Sequence, residues 1–415
     1  MFKQLLPNRL SLFSWVLYDV GNTVFFTGIV GLFFPLWVVT EMRGTDSDYG
    51  FTLSGSMFVV LLIAPFAGTL SDQVSNIKFG VTLCTIVAAI TIFLAGFDTS
   101  ILILGLVLFG ISFIFMNIAE IFYNSGLSLI STSTNIGRVG GIAIGFGYIG
   151  ALVAVMIGVV AIENYGYSYG ISFQIIAAFI LVVTIPMGLF FKGRRKKHTG
   201  PSLIVAGSHA IHRFLHGIRY ILALPSLRIF IFARFWYMWG IGVGSSFVAL
   251  YGIDTLGFTS FQIEMILLVG VLFAMPFGLI WGILVDRLGP KICLQLVLSG
   301  WAIVFLLAII VPVFGLSTNI WWAFGIFVGC LYGGLWTADR PLLIALCEEK
   351  FLGECFGFYS LVARLAYLVG TFVWAVLSDN FAQGQIIAVS TLFLSILIAY
   401  GCVFRIPSKN AKSLK

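Results

Sequence analysis

The sequence predicts an all-α membrane protein of twelve transmembrane helices, arranged as two pseudo-symmetric six-helix bundles. Three observations predict it: the apolar content, the spacing of polar breaks, and an internal repeat of polar landmarks. Of 415 residues, 60% are hydrophobic and 9% charged, against about 25% charged in a soluble domain. A helix crossing the hydrocarbon needs about 20 apolar residues, so twelve need about 240. Sixty per cent of 415 residues is about 249, which leaves little for a soluble domain. The apolar runs are continuous rather than alternating with polar residues, which excludes a transmembrane β-barrel.

Taken in order, apolar runs between polar breaks predict spans over 11–39, 51–70, 78–97, 100–123, 137–161 and 169–191. A second set follows over 226–252, 263–285, 290–313, 319–345, 354–377 and 384–404. The chain therefore reads as an N-terminal bundle (1–191), a basic linker (192–225) and a C-terminal bundle with a short tail (226–415). The first run holds Asp19 and Asn22 and lacks a small-residue cleavage site, so it reads as a helix rather than a signal peptide. The linker opens on Lys192, Arg194, Arg195, Lys196 and Lys197 and carries His209, His212 and His216. A metal site is one reading of those histidines. The expected one is an amphipathic helix on an anionic membrane surface. The six cysteines show no ligand spacing and read as small core residues.

Charge fixes the expected topology. With the N-terminus inside, one side holds Lys3, Arg9, Lys78, Arg138, the linker cluster, Arg287, Lys291, Lys350 and the tail lysines. The other holds a single basic residue, Arg43, with Glu41, Asp46, Asp48, Asp98, Glu163, Asp254, Glu264 and Asp379. This positive-inside pattern places both termini in the cytoplasm and also accounts for the net charge of +7 without nucleic acid. Compact loops and short ends favour a bacterial cytoplasmic (inner) membrane.

The repeat is carried by two landmarks. Gly68-Thr-Leu70-Ser-Asp72 ends the second span, and Gly282-Ile-Leu284-Val-Asp286-Arg287-Leu-Gly289-Pro-Lys291 ends the eighth, an offset of 214 residues. Gly137-Arg138-Val-Gly140-Gly141 and Gly353-Glu354-Cys-Phe-Gly357 are offset by 216. Such parallel repeats build major-facilitator transporters. The run from Gly282 to Lys291 resembles the signature loop of the major facilitator superfamily; in the first-half copy, Gln73, Ser75 and Asn76 replace the usual residues. The resemblance implies that Gly68, Asp72, Gly282, Asp286, Arg287, Gly289 and Lys291 act in gating.

A narrower resemblance, to the vacuole-effluxer-like (autophagy-related) branch, rests on Ser14-Trp15-Val-Leu-Tyr18-Asp19-Val-Gly21-Asn22-Thr23. It also rests on Phe122-Tyr123-Asn124-Ser125-Gly126-Leu127, Gly147-Tyr148-Ile149-Gly150 and Phe356-Gly357-Phe358-Tyr359-Ser360. That branch is associated with moving small solutes, amino acids in particular. Where it often has an Asp-Gly pair in the seventh helix, this chain has Tyr237-Met238-Trp239-Gly240, so the polar partner there is missing.

The spans contain Asp19, Glu120, Arg234, Asp339, Arg340 and Arg364. A charge at the bilayer centre costs about 2.5–3.5 kcal/mol, so six facing lipid would cost about 15–20 kcal/mol. They must face protein or water. By count they fall on helices 1, 4, 7, 10 and 11, and the superfamily resemblance implies that 1, 4, 7 and 10 line a central cavity. Asn117, Glu120 and Asn124 share a helix face at i, i+3 and i+7. Trp336, Asp339 and Arg340 occupy the repeat-equivalent region of helix 10, and Asp19 with Asn22 gives helix 1 a polar face. Asp339 and Arg340 also read as a structural ion pair or gate, and Arg234 as a residue snorkelling to headgroups.

Glu120 is the expected proton-coupling acid, with Asp19 second, because an acid in an apolar cavity has a raised pKa. Arg364 is expected to hold a substrate carboxylate or to neutralise Glu120. The expected function is alternating-access transport of a small zwitterionic or anionic metabolite by a monomer, with protons and membrane lipids as its other partners. Two alternatives stand beside it: a lipid, lysophospholipid or amphiphile transporter on the same fold, and a non-transporting sensor. No catalytic triad, metal cluster or phosphate loop is visible, so neither enzyme activity nor a cofactor is expected.

Overall fold

A computed structural model describes residues 9–73, 77–97, 101–130, 136–192, 218–317, 319–348 and 351–407. Among these residues the chain forms twelve long helices and no strand. They are α1 (Arg9–Thr40), α2 (Asp46–Gln73), α3 (Ile77–Ala95), α4 (Leu102–Ile130), α5 (Ile136–Gly158) and α6 (Tyr169–Phe190). Then come α7 (Pro225–Asp254), α8 (Ser260–Leu288), α9 (Pro290–Val313), α10 (Ile320–Leu346), α11 (Leu352–Asn380) and α12 (Gly384–Phe404). Two are interrupted: α1 widens into a π-helical stretch at Phe25–Phe33, and α5 runs on into one at Val159–Asn164. Such stretches recur at functional places in helices.

Local chemistry sets several ends. Thr259 and Gln262 form a capping box at the start of α8, the Thr259 amide donating to Gln262 Oε1 at 3.0 Å and the Gln262 amide to Thr259 Oγ1 at 3.3 Å. Thr45 and Asp48 do the same for α2, at 2.9 Å and 3.3 Å. These boxes extend α2 and α8 into polar sequence beyond the apolar runs that announce them. Between α8 and α9 stands Gly289 at φ 86°, followed by Pro290 at the first helical position. Only glycine takes that backbone cheaply, and proline there sacrifices an N–H that no helix would use.

Eleven helices are long and apolar enough to cross a membrane among the described residues. The remaining expected span is α7, which has the length but carries Arg228, Arg234, four glycines, three serines and several polar-tipped aromatics. Of its polar residues Arg234, Tyr237, Ser246 and Tyr251 are buried in the protein, and Arg228 is exposed.

The chain divides into two compact units, Met1–Ile211 and His212–Lys415. Inside the first, α1 packs on α5 and α6, α4 on α2 and α3, and α3 on α6. Inside the second, α7 packs on α11 and α12, α10 on α8 and α9, and α9 on α12. Advancing each label by six converts the first pattern into the second, so the repeat in sequence is a repeat in packing.

The α8–α10 contact shows how these helices hold. Gly325, Gly329 and Gly333 form a ridge on α10 that meets Ile266, Gly270, Ala274 and Gly278 of α8 backbone to backbone. A Cβ at Gly329 would lie 2.0 Å from the Gly270 carbonyl oxygen. Lipid tails are as apolar as leucine, so close approach between small residues is what binds helices in a bilayer. The buried residues of α8 are Ile263, Glu264 and Ala274. Glu264, counted from sequence among the outer loop acids, is fully buried in the opening turns of α8.

Of the linker, residues 193–217, with all four of its histidines, lie outside the described residues. Residues 218–223 are helical.

Candidate functional site

In the first unit the polar residues gather on α1, α4 and α5. Asp19 is half-buried on α1, against Gly147 of α5, where a Cβ would stand 3.3 Å from Asp19 Oδ2 and 3.2 Å from Thr23 Oγ1. Glycine at 147 thus leaves the Asp19 carboxylate uncrowded. One turn on, Asn22 buries its Oδ1 with no hydrogen-bond partner among the described residues, and the hydroxyl of Tyr148 on α5 does the same. Buried polar atoms are nearly always paired in folded proteins, so such exceptions call for an explanation.

Behind this face lies an aromatic support. Trp15 stacks on Tyr123 of α4 with centroids 4.5 Å apart and donates its indole N–H to the Tyr123 carbonyl at 3.1 Å. Tyr18 leans on the same ring at 5.1 Å, its hydroxyl 3.0 Å from that of Thr85. Asp19 and Glu120 both act electrostatically on that Tyr18 hydroxyl. On α4, Glu120 is half-buried and accepts from Asn124 Nδ2 at 3.4 Å. Asn117, although on the same face, spends its amide on the Phe113 carbonyl of its own helix at 2.9 Å.

In the second unit, Arg234 and Asp339 meet as an ion pair, 3% and 0% exposed. The Tyr237 hydroxyl donates to Asp339 Oδ1 at 2.6 Å and the Tyr359 hydroxyl to Oδ2 at 2.5 Å. Arg234 Nε donates to the Tyr359 carbonyl at 3.0 Å, and its guanidinium lies over the Tyr359 ring. One knot of four side chains thereby ties α7, α10 and α11.

Two sequence expectations change here. Asp339 pairs with Arg234 rather than with its neighbour Arg340, because adjacent residues on a helix do not face each other; and Arg234 turns inward instead of snorkelling. The missing polar group of the seventh helix is supplied by Tyr237, a residue that sequence reasoning passed over. The repeat relates the ion pair to the first bundle: at an offset of 216, Tyr18 corresponds to Arg234 and Tyr123 to Asp339. A tyrosine contact in one bundle is an ion pair in the other.

Arg340, Trp336 and Arg364 are half-buried. Arg340 makes no hydrogen bond or ion pair among the described residues. Trp236 and Trp239 of α7 stack at 5.5 Å, both indole N–H groups buried without a partner among those residues. In the signature loop, Gly282 and Lys291 are half-buried, while Asp286 and Arg287 are exposed and lack partners among the described residues. Gly68 and Asp72 fall near the end of α2, with side chains outside the described residues.

Comparison with known proteins agrees with this architecture. The family model of the Major Facilitator Superfamily matches residues 21–371. The chain is 26% identical over 403 residues to a protein of Bacillus subtilis (strain 168) described as an uncharacterized MFS-type transporter, YxiO, with 92% of each chain covered. It is 21% identical over 377 residues to an uncharacterized protein of Aquifex aeolicus (strain VF5), covering 89% of this chain and 90% of the other. Among solved structures it is similar to the nucleoside transporter NupG, at TM-score 0.70 and 14% identity over 97% of this chain and 100% of that one. It is also similar to a bacterial homologue of the human lysosomal transporter Spinster in an inward-facing, unoccupied conformation, at TM-score 0.70 and 12% identity over 97% and 98%. At those identities the structures speak for the fold alone. The family match spans most of the chain, and with twelve helices packed as a repeated six, the chain belongs to the Major Facilitator Superfamily.

Proposed function

We propose that this transporter moves a small amino-acid-like solute, bearing charges of both signs, by proton-coupled alternating access across a bacterial cytoplasmic membrane, as a monomer. One observation carries the reading: outside the Arg234–Asp339 pair, the expected charged site residues are acidic in the first bundle (Asp19, Glu120) and basic in the second (Arg340, Arg364), each answering to an uncharged residue in the other bundle. At the 216-residue offset, Asp19 answers to Phe235, Asn22 to Met238, Glu120 to Trp336, Asn124 to Arg340 and Tyr148 to Arg364. Arg234 and Asp339 neutralise each other, so they add no net charge to this set. The first bundle offers carboxylates to an ammonium group or a proton, with Asn22 Oδ1 and the Tyr148 hydroxyl able to accept or donate a solute hydrogen bond. The second offers Arg340 and Arg364, whose planar forks suit a carboxylate. Glu120 is the coupling acid and Asp19 its neighbour in that role, while the signature-loop residues act in gating.

A second reading, an amphiphile or ring-bearing solute, is favoured by the stacked Trp236 and Trp239 with their unpartnered indole N–H groups, which join an apolar face to a polar edge.

The test combines binding with flux. An amino acid present at about 100 times its Kd stabilises the purified protein by about 2.7 kcal/mol, read as a raised unfolding midpoint. In proteoliposomes, Glu120→Gln keeps solute exchange and loses accumulation driven by a pH gradient. Stabilisation by amphiphiles alone would move the assignment to the second reading, and full gradient-driven accumulation in the variant would remove Glu120 from coupling.

A further inference from the structure

The hairpin joining α10 to α11 brings two thiols together. Cys347 caps the end of α10 and is half-buried; Cys355 lies in the first turns of α11 and is 0% exposed. Their sulfurs are 2.7 Å apart, against about 2.04 Å for a covalent S–S bond. The eight-residue separation is neither a CxxC nor a ligand spacing, so only the folded hairpin creates the pair. Tyr220 docks on the same hairpin: its hydroxyl accepts the Glu348 backbone N–H at 3.0 Å and its ring lies 4.1 Å from that of Phe351. Tyr220 belongs to the short helical segment 218–223 that ends the linker.

We propose that Cys347 and Cys355 are a reversible redox-modification site that closes to a disulfide across the α10–α11 hairpin, the oxidant being a low-molecular-weight disulfide. The accessible Cys347 thiolate attacks the small disulfide, forming a mixed disulfide and releasing one thiol. The Cys355 thiolate then attacks the Cys347 sulfur, and the second small thiol leaves. Two protein thiols and one small disulfide thus become one protein disulfide and two small thiols, with two electrons passed to the oxidant. In an environment that keeps thiols reduced, a pair that forms is of the transient, sensing kind. Closure fixes the ends of α10 and α11 and holds Glu348 and Phe351 against Tyr220, so the linker reads the state of the pair.

The experiment uses the full chain in detergent, equilibrated with mixtures of glutathione and glutathione disulfide, then denatured and alkylated. Oxidising mixtures are expected to give a chain lighter by two hydrogens, with two of its six thiols unreactive and a cross-linked peptide containing Cys347 and Cys355. With Cys355→Ser, oxidation is expected to stop at one glutathione on Cys347. Six alkylated thiols at every ratio, or a persistent glutathione adduct on Cys347 while Cys355 is present, would overturn the site. In the oxidised chain, trypsin cleavage after Arg219 should slow at least about threefold, as local opening is suppressed. Unchanged cleavage would overturn the link to Tyr220.

Discussion

At the scale of residues, the Arg234–Asp339 pair shows what a charge needs in order to live inside a membrane helix bundle. Both Asp339 oxygens are hydrogen-bonded, and the guanidinium has a carboxylate, a carbonyl and an aromatic face. Removing one member of a buried pair leaves the other uncompensated, which costs about 3–5 kcal/mol, whereas replacing both by apolar residues is often neutral. Asp339→Leu is therefore expected to lower the unfolding midpoint in detergent sharply, and Arg234→Met with Asp339→Leu to restore most of it. A single variant as stable as the parent would contradict the pairing. That Asp339 turns inward was legible in the sequence, because lipid would reject it; for Arg234 a snorkelling reading stood beside the inward one. Their pairing was not, since it depends on which faces of α7 and α10 meet.

Among elements, the α8–α10 contact is the sharpest case. Gly329→Leu would force side-chain atoms into the Gly270 backbone, and overpacking of this kind costs typically about 1–3 kcal/mol. Gly278→Ala serves as its control: a Cβ there meets nothing within 4 Å, and alanine is the better helix former. The expected result is a lowered thermal midpoint for the first and an unchanged or raised one for the second; equal midpoints would refute the packing. The ridge Gly325, Gly329, Gly333 is visible in the sequence, but its partner helix is not. Helix limits were readable where apolar runs end abruptly, as at Pro290–Val313 and Gly384–Phe404. They were misjudged where polar capping residues continue the helix, as at Thr45 and Thr259. The π-helical stretch of α1 left no signal, because its residues, Thr27 apart, are apolar.

For the whole molecule, the repeat is the organising fact, and it was legible because two landmarks keep one spacing. It requires an even number of crossings, with charge deciding which side is which. In a background lacking native cysteines, Tyr167→Cys and Phe314→Cys, at exposed loop positions (67% exposure is reached by nearby Tyr165, 72% by Phe314), should react with an impermeant maleimide from outside intact cells. Leu288→Cys, at the opposite helix ends, should react only after permeabilisation. The reverse pattern would invert the assigned orientation.

The correspondence of Tyr18–Tyr123 with Arg234–Asp339 carries a historical consequence. The two bundles occupy equivalent positions with different chemistry, and any single-step path between them passes through a bundle holding one tyrosine and one unmatched charge. With a net stability of about 5–15 kcal/mol for a typical domain, an intermediate costing about 3–5 kcal/mol loses a large share of it. A substitution at one of these two positions therefore weighs directly on the other.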